Sequence, residues 1–171
     1  TTDVLGVAAP GMLVRVDVWQ QLGGFDGGLP TVDAGLDLGV RARLAGHRVE
    51  RVAGARVAAA GPVELFGRPS LASGTRNLIR RRAQYHRRLS YAPAALVPLL
   101  WLSLLPLGVL IALWQVLAKR PGMAPGELVA AIAAMFDGSV VGARASIART
   151  RSSGWAAIAP FRVRGRDARE L

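Results

Sequence analysis

The chain has 171 residues, enough for about one domain by the usual length prior. It is 51% hydrophobic yet carries a formal net charge of +11, a pairing that suits a membrane surface as readily as nucleic acid. The absence of cysteine excludes disulfides, zinc-thiolate sites and cysteine nucleophiles, and two histidines, His47 and His86, are too few and too far apart for a histidine metal cluster.

The chain opens with "TTDVLGV", without Met and without a signal-peptide pattern, which points to a piece of a longer protein. Residues 3–9 and 11–16 are predicted as two short strands around the turn pair Pro10-Gly11. Asp17 is placed to cap a short helix "VWQQL", closed by Gly23. A loop rich in Gly and Pro follows at 26–32. A second helix is predicted over 34–45, with Leu36, Val40 and Leu44 on one apolar stripe. Asp33 stands where an N-cap belongs, Gly46 where a left-handed C-terminal residue belongs, and Asp37 can pair with Arg41 at i, i+4. Residues 48–60 read as one or two short strands split at Gly54.

A loop-like stretch at 61–75 marks a boundary. The run "RNLIRRRAQYHRRLSY" then places Leu78, Ile79, Arg82, Tyr85 and Leu89 on a broken apolar face among six arginines, the pattern of a helix at the headgroup level of a bilayer. Arg80, Arg81, Arg82, Arg87 and Arg88 are the candidate membrane-interface residues, facing anionic lipids. Residues 92–118 carry no charge over 27 residues, more than the roughly 20 that a bilayer span needs, with Trp101 and Trp114 as interface anchors. Lys119 and Arg120 follow at once, and the tail from Arg144 to Arg169 holds seven arginines. A single span would separate these basic flanks, against the positive-inside tendency. Two remedies are open: Pro106 breaks the segment into a re-entrant pair, or residues 123–142 return across the membrane despite Glu127 and Asp137. The ten Phe, Trp and Tyr residues (4, 4 and 2) do not alternate with the arginines, which disfavours a nucleic-acid platform.

The run "GMLVRVDVWQQLGGFDGGL", a carboxylate-bearing loop and then "DLGVRARLAGHRV" resemble the acceptor-side half of a family-2 glycosyltransferase domain. The resemblance covers about residues 3–60, together with the membrane segment such enzymes often carry afterwards. It implies an α/β fold: a partial GT-A (nucleotide-diphospho-sugar transferase) domain, followed by an amphipathic interfacial helix and a membrane-embedded helical segment. The implied boundaries are 1–62 for the catalytic portion, 63–91 for linker and basic helix, 92–118 for the transmembrane or re-entrant segment, and 119–171 for a basic tail with a weak second segment at 123–142.

Inverting sugar transfer needs a base for the acceptor hydroxyl proton, and a carboxylate at a helix start suits it. In the family that base is the acid pair of "EDxDL". Aligning Asp37-Leu38 puts Ala34-Gly35 at that pair, so Asp33 becomes the nearest substitute base and Asp37 the second acid. Gly23, Gly24, Phe25 and Asp26 form the acceptor loop by the same resemblance. Ala59 stands near where the family often keeps a histidine, and "QYHRR" is faintly similar to the "QxxRW" element of processive members. A divalent metal, Mg or Mn, is implied for the whole enzyme, with ligands on a donor half that this chain lacks. The expected partners are a nucleotide-sugar donor, a glycan or lipid-linked acceptor and anionic membrane lipids, with no nucleic acid, at the cell membrane with the catalytic part cytoplasmic. The competing reading is a non-catalytic membrane scaffold or partner subunit that kept the fold, which Ala34, Gly35 and Ala59 favour.

Overall fold

The computed structural model describes residues 2–29, 32–58 and 71–161. The chain is mostly helical, with one small two-stranded sheet and one helix long and apolar enough to cross a membrane. It divides into two compact units, Thr1–Val57 with Ala145–Leu171, and Ala58–Arg144.

The first unit is built around one helix. Strands β1 (Thr2–Asp3) and β2 (Glu50–Arg51) pair antiparallel, Thr2 opposite Arg51 and Asp3 opposite Glu50. Helices α1 (Val16–Leu22) and α2 (Ala34–Leu44) lie between them in sequence. Val18, Leu22, Leu38, Ala42 and Ala45 form the core, with Met12, Val14 and Val49 packed against it. Helix α2 is buried over nearly its whole circumference, not along a single stripe. Two glycines one turn apart make this possible. A Cβ on Gly35 would lie 2.4 Å from the Val7 carbonyl oxygen, and one on Gly39 would lie 2.5 Å from Gly6 Cα, so the backbone of residues 5–9 rests directly on the helix. At the other end Gly46 adopts φ 87, and His47 N–H donates to Ala42 O (2.9 Å) and Gly46 N–H to Arg43 O (3.0 Å), the paired bonds of a Schellman turn. Ser152 and Ser153 N–H both donate to Leu44 O, and Arg43 stacks on the Phe161 ring at 3.9 Å, which brings the 3-10 segment Trp155–Phe161 onto α2.

Three local expectations change. The strands at 3–9, 11–16 and 48–60 shrink to β1 and β2; residues 59–60 lie outside the described residues. The in–out alternation is present, with Met12 and Val14 turned to the core and Leu13 99% exposed. A ladder also needs a hydrogen-bonded neighbour, and the described residues supply one only beside Thr2–Asp3. Asp17 does not cap α1: it lies inside the first turn, where it pairs with Arg15 at 2.7 and 3.1 Å on the exposed surface. The Arg15 hydrogen bond holds the Asp17 carboxyl below its ordinary value. Asp33 takes the N-cap position of α2 with φ 63 and no side-chain capping bond, and its carbonyl accepts from Asp37 N–H at 2.8 Å. Side-chain capping uses an extended backbone, and the left-handed one does not present the carboxylate to the first-turn N–H groups in that way.

The second unit contains α3 (Ser73–Ser90), α4 (Val97–Leu117), α5 (Ala124–Met135) and the start of α6 (Ser139–Thr150). Its core is Tyr85 and Leu89 of α3, Leu104 of α4, Ala130, Ala131 and Ala134 of α5, and Val140. Small residues set the spacing. A Cβ on Gly108 would come within 2.8 Å of the Ala131 methyl, and one on Gly126 within 2.8 Å of Gly74 O. Helix α5 therefore packs closely on α4 on one side and α3 on the other. Pro106 leaves α4 unbroken, so the segment is one helix and not a re-entrant pair. The apolar face of α3 is also not offered to lipid: Tyr85 and Leu89 are buried in the unit's core, and Leu78 packs against it.

The glycine contacts make a stability comparison possible. Gly39→Ala gains about 1 kcal/mol of helix propensity but drives a methyl into the Gly6 backbone, which cannot rotate away, at a cost of about 1–3 kcal/mol or more. Gly142→Ala in α6 meets nothing within 4 Å and keeps the propensity gain. In thermal melts Gly39→Ala is expected to lower Tm and Gly142→Ala to raise it; a raised Tm for Gly39→Ala would contradict the close approach.

Candidate functional site

The two halves of the motif at 20–46 meet through the core residues Leu22, Leu38 and Ala42 and through one polar side chain, Arg41. Helix α1 ends at Gly23 (φ 71) and Gly24 (φ 72), with Gly24 N–H donating to Trp19 O at 3.0 Å. A Cβ on Gly24 would lie 2.9 Å from the Trp19 ring, so the turn can close only on glycine there. Phe25 then meets Trp19 edge to face, centroids 5.0 Å apart, and stays 42% exposed. The Asp26 carboxylate accepts from Gly28 N–H at 2.9 Å, and its carbonyl accepts from Leu29 N–H, so Asp26 shapes the loop.

Arg41, projecting from α2, holds this turn. Its Nε donates to Asp37 Oδ2 at 2.7 Å, its Nη1 to Leu22 O at 2.8 Å and its Nη2 to Gly24 O at 2.8 Å. Both side chains of the ion pair are nearly water-free, at 6% and 2% exposed. A planar guanidinium satisfies three acceptors in one plane here, which a lysine could not do. Asp37 thus fixes Arg41, and Arg41 fixes the end of α1 and the Gly-Gly turn against α2. The carboxylate expected as a second catalytic acid acts on its surroundings through Arg41.

Arg43 serves the opposite side of α2. Its Nε donates to Val4 O (2.7 Å), and its Nη2 donates to Val49 O (2.8 Å) and to Asp3 Oδ1 (3.2 Å). Hydrogen bonds from Arg43 and then Arg48 hold the Asp3 carboxyl below its ordinary value. Asp33 sits half-buried at the start of α2 in its left-handed conformation. A groove of about 740 Å³ opens on the same unit, lined by Met12, Val14, Val18, Leu22, Leu38 and Val49.

The resemblance aligns Ala34 and Gly35 with the acid pair, and the fold explains the glycine: the Val7–Ala9 backbone occupies the space of any side chain at 35. Ala59 lies outside the described residues. Among the described residues no three of His, Cys, Asp and Glu converge.

The five interface arginines separate into different roles. Arg81 Nε donates to Glu127 Oε1 at 2.7 Å, a carboxylate that is 0% exposed and also accepts from Asn77 Nδ2 at 3.0 Å. Arg82 reaches Asp137 at 3.3 Å, and Asp137 in turn accepts from the Ser139 N–H and hydroxyl at the start of α6. Arg80 and Arg88 are exposed and Arg87 is partly covered. His86, on the same helix, is 1% exposed, with its Nδ1 3.3 Å from the Ser139 hydroxyl. Burial and then the Glu127 carboxylate push the Tyr85 phenol above its ordinary value. Sequence reasoning missed the Arg41 contacts to Leu22 and Gly24 and the Arg81–Glu127–Asn77 cluster. The signals were the i, i+4 spacing of Asp37 and Arg41, and Glu127 standing alone in an apolar run.

Removing the Asp37 carboxylate strands a buried guanidinium, so Asp37→Leu is expected to cost about 3–5 kcal/mol in urea unfolding. The double variant Asp37→Leu with Arg41→Met removes both charges and is expected to cost less than the single one. Additive losses would contradict the clamp. Comparison with known proteins finds no matching family model, no matching curated protein and no matching solved structure.

Proposed function

We propose that this chain is the acceptor-side part of a membrane-bound glycosyltransferase of the hexosyltransferase type. In this reading the whole enzyme moves a sugar from a nucleotide-sugar donor to a cell-envelope polysaccharide or lipid-linked acceptor. The GT-A assignment belongs to the same proposal. The catalytic part lies on the cytoplasmic side of the cell membrane, with the uncharged helix α4 as the apolar element that holds it there.

The observation that carries the reading is the Arg41 clamp. "GGFD" and "DLGVRARLAG" are separate stretches that the resemblance pairs, and Arg41, held by Asp37 of the second, joins it to the first with two hydrogen bonds, to Gly24 O and to Leu22 O just before it. Extended segments with strand-like alternation, lying beside an uncovered apolar groove, also suit half a domain whose sheet continues in another segment. We assign Asp33 as the base. Its left-handed backbone is an uncommon conformation for a residue other than glycine, and such conformations gather at functional sites. No metal step is assigned to this chain.

One observation favours the non-catalytic scaffold instead: Gly35, where the family keeps an acid, is closed off by backbone. A single substitution decides between the two readings. Asn tolerates the left-handed region as Asp does but cannot take a proton. In the full-length protein, assayed in membranes with a panel of radiolabelled nucleoside-diphosphate sugars, Asp33→Asn is expected to lower transfer by about 10²–10⁴-fold with an unchanged Tm. Near-normal transfer by the variant would remove Asp33 as the base. No transfer from any donor by the unmodified protein would favour the scaffold.

A further inference from the structure

The second unit raises a question of depth in the membrane, because a charged helix runs along an apolar one. Helix α5 packs antiparallel to α4: Gly108 meets Ala131, and Trp101 Nε1 donates to Met135 O at 2.9 Å. Helix α3 packs parallel to α5 on its other side, from Gly74 against Gly126, through Asn77 and Arg81 on Glu127, to Arg82 on Asp137 and His86 on Ser139. These contacts lock α3 along the full length of α5. Arg76, Arg80, Arg82 and Arg88 nonetheless keep exposed side chains. Arg76 and Arg88 are twelve residues apart, about 18 Å along a helix axis.

If α4 crossed the bilayer, α5 and α3 would lie beside it, and the α3 arginines would be spread through the hydrocarbon depth, where each is costly. Helix α5, with 12 residues, is about 18 Å long and by itself too short for a core of about 30 Å, and the chain bends by 60° between it and α6, whose Arg144 and Arg149 would add charge to any returning span. The flanking charge gives no orientation either. Arg88 lies just before α4, and Arg144 donates to Ala92 O at 2.8 Å at that same end; Lys119 and Arg120 stand at the other end. Positive-inside orientation is satisfied by neither direction of crossing.

We infer that the unit is an in-plane anchor: α4 lies within one leaflet, and the outer face of α3 sits on the anionic headgroups of that same leaflet. This rests on the membrane reading of α4 and changes what kind of membrane protein the chain is. Helix α4 presents Leu99, Leu102, Leu110, Leu113, Trp114 and Leu117 to the acyl chains. Arg76, Arg80 and Arg88 meet lipid phosphates, while Arg81 and Arg82 hold α3 on α5 through Glu127 and Asp137. The basic stretches 76–88 and 119–120 then lie on one side of the bilayer.

The cysteine-free chain gives a clean test. Single cysteines are placed at the exposed flanks of α4, Ala95→Cys and Ala118→Cys, in the full chain expressed in bacterial cells. Right-side-out and inverted inner-membrane vesicles are then labelled with a membrane-impermeant maleimide. Both cysteines are expected to label only in inverted vesicles, at least tenfold above right-side-out ones. Labelling of the two sites from opposite faces would overturn the in-plane anchor and leave the membrane reading standing. Release of the unlabelled chain by alkaline carbonate would overturn the membrane reading itself, and the anchor with it.

Discussion

The first unit depends on one buried ion pair. Helix α2 is short and encased, and what surrounds it has little regular structure of its own: a two-residue ladder, a seven-residue helix and extended loops. Such pieces cannot hold themselves in register. Arg41 fixes the end of α1 and the Gly-Gly turn on one side of α2, and Arg43 fixes the strand ends on the other. Asp37 supplies the counter-charge for a guanidinium that is only 6% exposed, so removing either charge alone leaves the other buried without its partner. The glycines complete the arrangement from the opposite direction. Gly35 and Gly39 remove side chains so that backbone can touch backbone.

The second unit uses the same chemistry in apolar surroundings. Small residues bring α4 and α5 together, and Glu127 then pairs with the basic helix that already buries Tyr85 and Leu89 in the same core. One oxygen of that carboxylate is fully engaged; the other, like the Tyr85 hydroxyl, is buried without a protein partner. Arg144 closes the end of α3 by donating to Leu89 O and Ala92 O. Two of the five arginines expected to face lipid, Arg81 and Arg82, are therefore fasteners between helices, while Arg76, Arg80 and Arg88 stay exposed.

Much of this was legible in the sequence, because it is local. Helix α2 follows from its apolar spacing and from Gly46, helix α1 from its glycine stop, and α4 from 27 residues without charge. The Asp37–Arg41 pair follows from the i, i+4 rule. What was not legible is non-local. Strand propensity at 3–9 and 11–16 is real, but strands need neighbours, and no local rule says whether a neighbour exists. Asp33 has the composition of a cap, yet its backbone dihedral, set by the loop before it, decides that it does not cap. The apolar face of α3 looked like a lipid-binding face because its true partner, α5, lies some fifty residues away and was read as a possible membrane segment.

The claim that α2 organises the first unit is most directly tested by native-state hydrogen exchange, comparing the unmodified chain with Arg41→Met. The clamp requires that the amides of α1 and the following turn, residues 16–29, open together with α2 rather than on their own. The expected result is that these amides are protected in the unmodified chain and lose protection by at least tenfold in Arg41→Met, while the α3–α5 amides are unchanged. Fast exchange of residues 16–29 beside a protected α2 in the unmodified chain would contradict the account.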